Sequence, residues 1–197
     1  MFAELKPAIL ITVVFTVVTG IVYPLAVTGL AQMAFPHRAN GSLVTVAGKV
    51  VGSELIAQSF AKPEYFHPRP SSAGANGYDA TSSGASNLGP TNPDLEKRLK
   101  KDAAAWHAEN PEYEGLIPSD AITSSGSGLD PEISVDNARA QMARVAKLRK
   151  GGAAAVTEIV ESAVLQREFG VLGEARVNVL MLNLALDAQA PVIKDQR

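Results

Sequence analysis

The sequence predicts an α+β protein: one N-terminal transmembrane helix, then a soluble domain of short strands and about four helices. Three observations carry that reading. Pro7 to His37 contains no Lys, Arg, Asp or Glu. From Leu43, β-branched runs alternate with turn glycines, the signature of short strands. From Asn92 onward, apolar residues recur at helical spacing in separate segments.

The uncharged run is long enough, at about 1.5 Å per residue, to exceed the ~30 Å hydrocarbon core of a bilayer. It predicts a span at about residues 8–35 within an N-terminal segment 1–37. A cleaved signal would have a shorter apolar region followed by a small-x-small site; this run is far longer and "LAQMAF" is a poor cleavage site, so a retained anchor is expected. Thr12, Thr16 and Gly20 recur every four residues and predict a small face for helix packing. Val, Ile, Leu and Phe on the other sides suit lipid. Pro24 predicts a kink. Lys6 before the span and Arg38 and Lys49 after it are nearly balanced, so charge does not orient it.

Residues 38–190 read as the soluble domain and 191–197 as a C-terminal tail. Leu43 to Val46 and Lys49 to Val51 predict two strands around Ala47-Gly48, with a further strand or helical turn near Leu55 to Phe60. Three prolines in "AKPEYFHPRPSS" favour extended backbone. Residues 71–93 are nearly all turn formers. Asn92-Pro93 caps a helix running to about Asn110, with Leu95, Leu99 and Trp106 inward and Lys97, Arg98, Lys100 and Lys101 outward. Ser134 caps a second helix with Ala138, Met142, Val145 and Leu148 as its stripe. "AAAVTEIVESAVLQREF" predicts a third, with Val156, Ile159, Val160, Ala163 and Val164 inward and Gly170 ending it. "ARVNVLMLNLALD" reads as a fourth, with Val177, Leu180, Met181 and Leu184 on one side.

Composition narrows function. The chain has 18 basic and 20 acidic side chains, a balance that gives no sign of nucleic-acid binding. It has no cysteine, which excludes disulfides, thiolate catalysis and thiolate zinc sites. His37, His67 and His107 lack metal-ligand spacing and read as surface residues, so no metal ligand is assigned. No catalytic residue is assigned either. Ser125-Gly126-Ser127-Gly128-Leu129 is not a nucleophile elbow, Gly48-Lys49 is followed by Val50 rather than a Walker hydroxyl, and Pro131 stands where a dinucleotide loop continues. Ser124, Ser125, Gly126, Ser127 and Gly128 keep two readings: a hydroxyl-rich lead-in to the next helix, with Asp130-Pro131 as a cap, or an anion cradle. No Lys or Arg lies between Lys101 and Arg139, an interval with eight carboxylates, and a basic helix follows.

Six ordered blocks carry a likeness: "VGSELIAQSF", "YFHPRPS", "SSGASNLGPTNPDL", "IPSDAITSSGSGLDPEIS", "RVAKLR" and "LGEARVNVLMLNLALD". After one span, they resemble the C subunit of the Kdp system, a bacterial high-affinity potassium-transporting P-type ATPase. His67 is a small departure. The resemblance implies a non-catalytic subunit of the cell membrane. Its implied partners are a channel-like potassium-binding subunit, a P-type ATPase subunit and a very small membrane peptide. It implies a role in assembly, or as a chaperone that raises the catalytic subunit's affinity for ATP in a transient ternary complex. In the second case Ser124 to Gly128 would meet ATP. The chain lacks the "DKTGT" motif of P-type pumps, and the resemblance implies an extracytoplasmic soluble domain.

Overall fold

The computed structural model describes residues 4–193, which fall into two compact units, one reaching to Val51 and one starting at Gly52. The α+β class holds in it: an apolar helix, then helices with two small antiparallel sheets.

The first unit is dominated by a continuous helical stretch, Leu5–Ala34, made of α1 (Leu5–Val17), a π turn (Val18–Val22) and α2 (Tyr23–Ala34). At about 1.5 Å per residue it reaches roughly 45 Å, enough to cross a bilayer. None of its side chains is buried by the chain itself. Pro24 has no N–H for the carbonyl four residues back, and its ring crowds that carbonyl. The π turn lies just before it, and Tyr23 N–H reaches back to Val18 O. That wider turn re-registers the carbonyls around the proline without leaving the helix. A four-residue helix α3 (Pro36–Ala39) follows, and Gln32 and Asn40 exchange amide hydrogen bonds of 3.1 Å across it. Strands β1 (Leu43–Val46) and β2 (Lys49–Ser53) form the expected hairpin, with Ala47 and Gly48 both at positive φ in the turn.

In the second unit, α4 (Pro93–Glu109) begins as expected, with the Asn92 side chain accepting from Asp94 N–H. Trp106 is buried on its inner side, while Leu95, Leu99 and Arg98 are half-buried. Arg98 therefore does not point outward as expected. A short α5 (Ser119–Ile122) precedes β3 (Glu132–Ser134). Ser134 caps α6 (Val135–Leu148), its hydroxyl accepting from Asn137 N–H at 3.0 Å. Then come α7 (Gly152–Ser162), β4 (Val164–Leu165), β5 (Arg176–Asn178) and α8 (Val179–Gln189). The strands pair antiparallel in the order β3-β5-β4, with Val177 opposite both Ile133 and Val164. That row of aliphatic side chains joins Val145, Val156, Val160, Leu182 and Leu186 in one core.

Three sequence expectations change. The third helix stops at Ser162 instead of Phe169, because Val164 and Leu165 pair with β5. The last segment is strand before it is helix: Asn178 caps α8 by accepting from Met181 N–H, so Val177 lies on the sheet and Met181 faces out. Leu55 to Phe60 forms turns and irregular chain. Helical spacing is the same whether a short apolar run continues a helix or crosses to a sheet, so long-range pairing decided these ends. Residues 194–197 of the expected tail lie outside the described residues.

The segment from Pro63 to His67 has no ladder of its own. Helix side chains supply its partners. Arg144 donates to Pro63 O (2.5 Å) and Tyr65 O (2.9 Å), and Arg149 to Glu64 O (2.9 Å). Asn183 accepts from Phe66 N–H and donates to Phe66 O, both at 2.9 Å. Gln141 does the same for His67, at 2.8 and 3.1 Å. Asn183→Ala leaves two buried groups of Phe66 unpaired and should lower stability by about 2–4 kcal/mol. The unfolding midpoint of the detergent-solubilised chain, read from its single tryptophan, checks this.

Candidate functional site

The serine-glycine loop folds against the irregular chain from Ser71 to Gly84. Ser125 Oγ accepts from Gly128 N–H (3.0 Å), and Ser127 Oγ accepts from Leu129 N–H (3.1 Å). Ser127 O accepts from Gly84 N–H (2.9 Å) and from Ser83 Oγ (3.0 Å). On the other strand of the crossing, Ser71 Oγ donates to Gly128 O (2.6 Å) and accepts from Ala73 and Tyr78 N–H. The Tyr78 hydroxyl donates to Arg69 O, and burial pushes its pKa up to about 12, so it stays a donor. Ser124 and Ser125 are half-buried, Gly126 and Ser127 are exposed, and Gly128 is buried.

Gly128 holds this crossing. Its φ is +67°, and a Cβ there would stand 2.6 Å from Gly84 O and 2.8 Å from Ala73 N. Only a residue without a side chain lets the two loops approach so closely. The Ser125 and Ser127 hydroxyls thus satisfy N–H groups of the loop's own backbone. Asp130 does not cap a helix: its carboxylate accepts from Glu132 N–H and from Arg69, and β3 follows. The helix cap is Ser134 alone.

Beginning at Asp130, an open cleft of about 800 Å³ is lined by Arg69, Asp120, Asp130, Glu132, Asp136 and Arg176, among others. Half of the eight interval carboxylates converge there: Asp120, Asp130, Glu132 and Asp136. Most already have partners. Asp120 accepts from Ser134 N–H (2.7 Å), Ser134 Oγ (2.9 Å) and Asn137 (3.1 Å). Asp130 pairs with Arg69 at 3.0 Å and Glu132 with Arg176 at 2.9 Å. Elsewhere Glu112 pairs with Lys147. Paired carboxylates project a weak field, so the acidic interval is mainly structural. Among the described residues, no three His, Asp or Glu side chains converge as metal ligands.

A smaller pocket of about 290 Å³ is lined by Phe60, His67, Tyr78, Trp106 and Gln141. His67 is not the surface residue expected from sequence. Its backbone is clamped by Gln141, and its ring nitrogens face Glu109 Oε2 (3.1 Å) and Lys62 O (3.0 Å). Sequence reasoning also missed Asn137, Gln141 and Arg144, all buried on α6. Their spacing was the available signal, since it tracks the apolar stripe Ala138, Met142 and Val145 one residue earlier each time. In the membrane-type helix, Thr12 Oγ1 donates to Ala8 O and Thr16 Oγ1 to Thr12 O, both at 2.8 Å. Gly20 has open space where a Cβ would sit.

An apolar helix long enough to span a bilayer, followed by an α+β unit, is the architecture of a single-span membrane-anchored protein. A model of the family described as "K+-transporting ATPase, c chain" matches residues 5–188, and the chain belongs to that family. The "Potassium-transporting ATPase KdpC subunit" of Caulobacter vibrioides (strain NA1000 / CB15N) is 57% identical over 198 residues, covering 100% of this chain and 99% of the relative. The protein of the same description from Caulobacter sp. (strain K31) is 57% identical, covering 97% and 96%. That from Beijerinckia indica is 50% identical, covering 98% and 97%.

Gly128→Ala should lower stability by about 2 kcal/mol or more, from strained φ and the clash with Gly84. Gly126→Ala meets nothing within 4 Å and should stay within about 0.5 kcal/mol. The same unfolding assay separates the two. Burial, then the nearby Arg144 guanidinium, push the His67 imidazole below its ordinary value, against the pull of Lys62 O and Glu109. The unfolded chain therefore takes up that proton first as pH falls. Stability should be full above the ordinary imidazole pKa of about 6.5 and decline as pH drops toward the lower folded value. Midpoints measured across that range should fall less steeply in His67→Gln.

Proposed function

We propose that this chain is a non-catalytic subunit of an ATP-driven, high-affinity potassium uptake complex of the bacterial inner membrane, and that it assembles and stabilises the channel-like and P-type ATPase subunits. One observation carries the reading: the 30-residue helix holds an 18-residue stretch of mean hydropathy 2.3, none of which is buried. Such a helix takes its neighbours from lipid and from other proteins. Thr12, Thr16 and Gly20 give it a row where another helix backbone can come close. The threonine hydroxyls turn back onto the helix's own carbonyls, so the row needs no polar partner in the bilayer. Membership of the c-chain family supports the same assignment.

The second reading implied by the resemblance makes the chain an ATP-affinity chaperone, with Ser124 to Gly128 at the nucleotide. Observations here weigh against it. The Ser125 and Ser127 hydroxyls, with Ser127 O, hold the loop together, and the Arg69 guanidinium is paired with Asp130. We place the soluble domain outside the cytoplasm, where ATP is absent.

Two experiments test this. Replacing Thr12, Thr16 and Gly20 together by Leu should cut recovery of the other subunits with the tagged chain by about five-fold or more, as expected when close helix packing is lost. Undiminished recovery would refute that packing face. Gly126→Cys provides the sole thiol of the chain on an exposed, unstrained residue. A membrane-impermeant maleimide should label it in intact cells. Protection until lysis would put the loop on the ATP side instead.

A further inference from the structure

Two asparagines of the chain stand directly before glycine, in Asn40-Gly41 and Asn76-Gly77. In such a pair the side-chain carbonyl carbon can reach the next residue's amide nitrogen, and glycine puts no side chain in the way. Whether the two groups meet depends on what holds them. Both glycines have positive φ, +86° at Gly41 and +75° at Gly77, so backbone conformation does not separate the sites. Side-chain bonding does. The Asn40 amide exchanges hydrogen bonds of 3.1 Å with Gln32 and donates to Pro36 O at 2.7 Å, and Gly41 N–H donates to Arg38 O at 3.0 Å. Asn76 is exposed, and its side chain makes no hydrogen bond among the described residues.

The loop that carries Asn76 closes on one hydroxyl. Ser71 Oγ accepts from Ala73 N–H (3.1 Å) and Tyr78 N–H (2.7 Å) while donating to Gly128 O (2.6 Å). Asp79 N–H donates to Ala73 O at 3.2 Å across the same loop. Gly77 packs against Ser71: a Cβ on it would stand 3.3 Å from Ser71 Cβ. Tyr78, the next residue, has φ +57°, a conformation that a bulky residue keeps when its surroundings impose it. A change of chain length between residues 76 and 77 therefore acts on the Ser71 hydroxyl, and through it on the contact with the serine-glycine loop.

We infer that Asn76-Gly77 is a self-modification site, where deamidation to an isoaspartyl link loosens the crossing at Gly128. The Gly77 nitrogen attacks Asn76 Cγ. The N–Cγ bond forms, the Cγ–Nδ2 bond breaks, and ammonia leaves with the proton given up by the Gly77 nitrogen. Water then opens the cyclic imide. Opening at Cγ gives aspartate. Opening at the main-chain carbonyl gives isoaspartate, in which the main chain runs through Cβ and Cγ and is one atom longer than an ordinary peptide link. Water is the co-reactant, and no electrons change hands.

Ageing the purified full chain in detergent at mildly alkaline pH tests this, with peptide mass spectrometry as the readout. Asn76 should gain about one dalton about ten-fold or more faster than Asn40, because several hydrogen bonds of about 1 kcal/mol each must break to free the Asn40 amide. In denaturant, where both side chains are free, the two rates should converge. Electron-transfer fragmentation should find isoaspartate at position 76. The unfolding midpoint of the aged chain should fall by about 2 °C or more, the scale of one or two lost hydrogen bonds. Aged Asn76→Gln should keep its midpoint. Equal rates at the two sites in the folded chain overturn the inference, as does faster reaction at Asn40. An unchanged midpoint in chain converted at Asn76 overturns the effect on the crossing, as does an equal loss in aged Asn76→Gln.

Discussion

The second unit depends on how five residues without regular structure are held inside it. Pro63 to His67 packs against the helices with Pro63 exposed and Glu64, Tyr65 and His67 half-buried, and Phe66 is fully buried in the core. Buried peptide groups need partners, and proline-rich chain cannot find them in a sheet. Arg144, Arg149, Asn183 and Gln141 take the place of a neighbouring strand. Each bonds backbone atoms of that segment. Arg149 is 0% exposed at its side chain, pairs with Asp187 at 2.7 Å and lies 4.7 Å from the centre of the Tyr65 ring. A salt bridge, two carbonyls and an aromatic face offset part of its cost of burial, while its Nη2 has no hydrogen-bond partner among the described residues.

That clamp explains the rest of the unit's layout. α6 and α8 present one apolar side to the sheet and α7, and one amide-bearing side to the proline segment. The helices are therefore buried on more of their circumference than their apolar stripes account for. The chain leaving the clamp passes from Arg69 to Ser71 and meets the serine-glycine loop at Gly128. Two irregular segments thus replace a conventional layer, one satisfied by helix side chains and the other by serine hydroxyls. In the first unit the same accounting of backbone groups explains the π turn. Pro24 removes a donor from a helix that has no water to turn to within a bilayer, and the wider turn before it keeps the carbonyls bonded.

Charge follows a similar economy. The acidic interval and the basic helix look like opposed fields in sequence, yet the fold joins Lys147 of the helix to Glu112 of the interval, and Arg139 pairs with Glu161 of α7 at 2.9 Å. Exposed pairs like these add little stability. Their effect is to neutralise charge locally on the surface of the second unit.

Local sequence determined a good deal. Uncharged length specified the spanning helix, because a water-soluble domain seldom contains so long an apolar run. Asn92-Pro93 and Ser134 specified two helix starts, because a side-chain oxygen beside the first free N–H groups is a purely local solution. Ala47-Gly48 specified the hairpin because a two-residue turn with both φ positive is likewise set locally. Tertiary structure alone decided what depended on residues far apart in the chain. Val164 and Val177 became strand since each was the other's partner. Gln141 and Asn183 turned inward since a donor-poor segment crosses them. Gly128 became indispensable since Gly84 passes beside it. Hydrophobic periodicity records which side of an element is buried; it carries no mark of which distant backbone will be there to meet it.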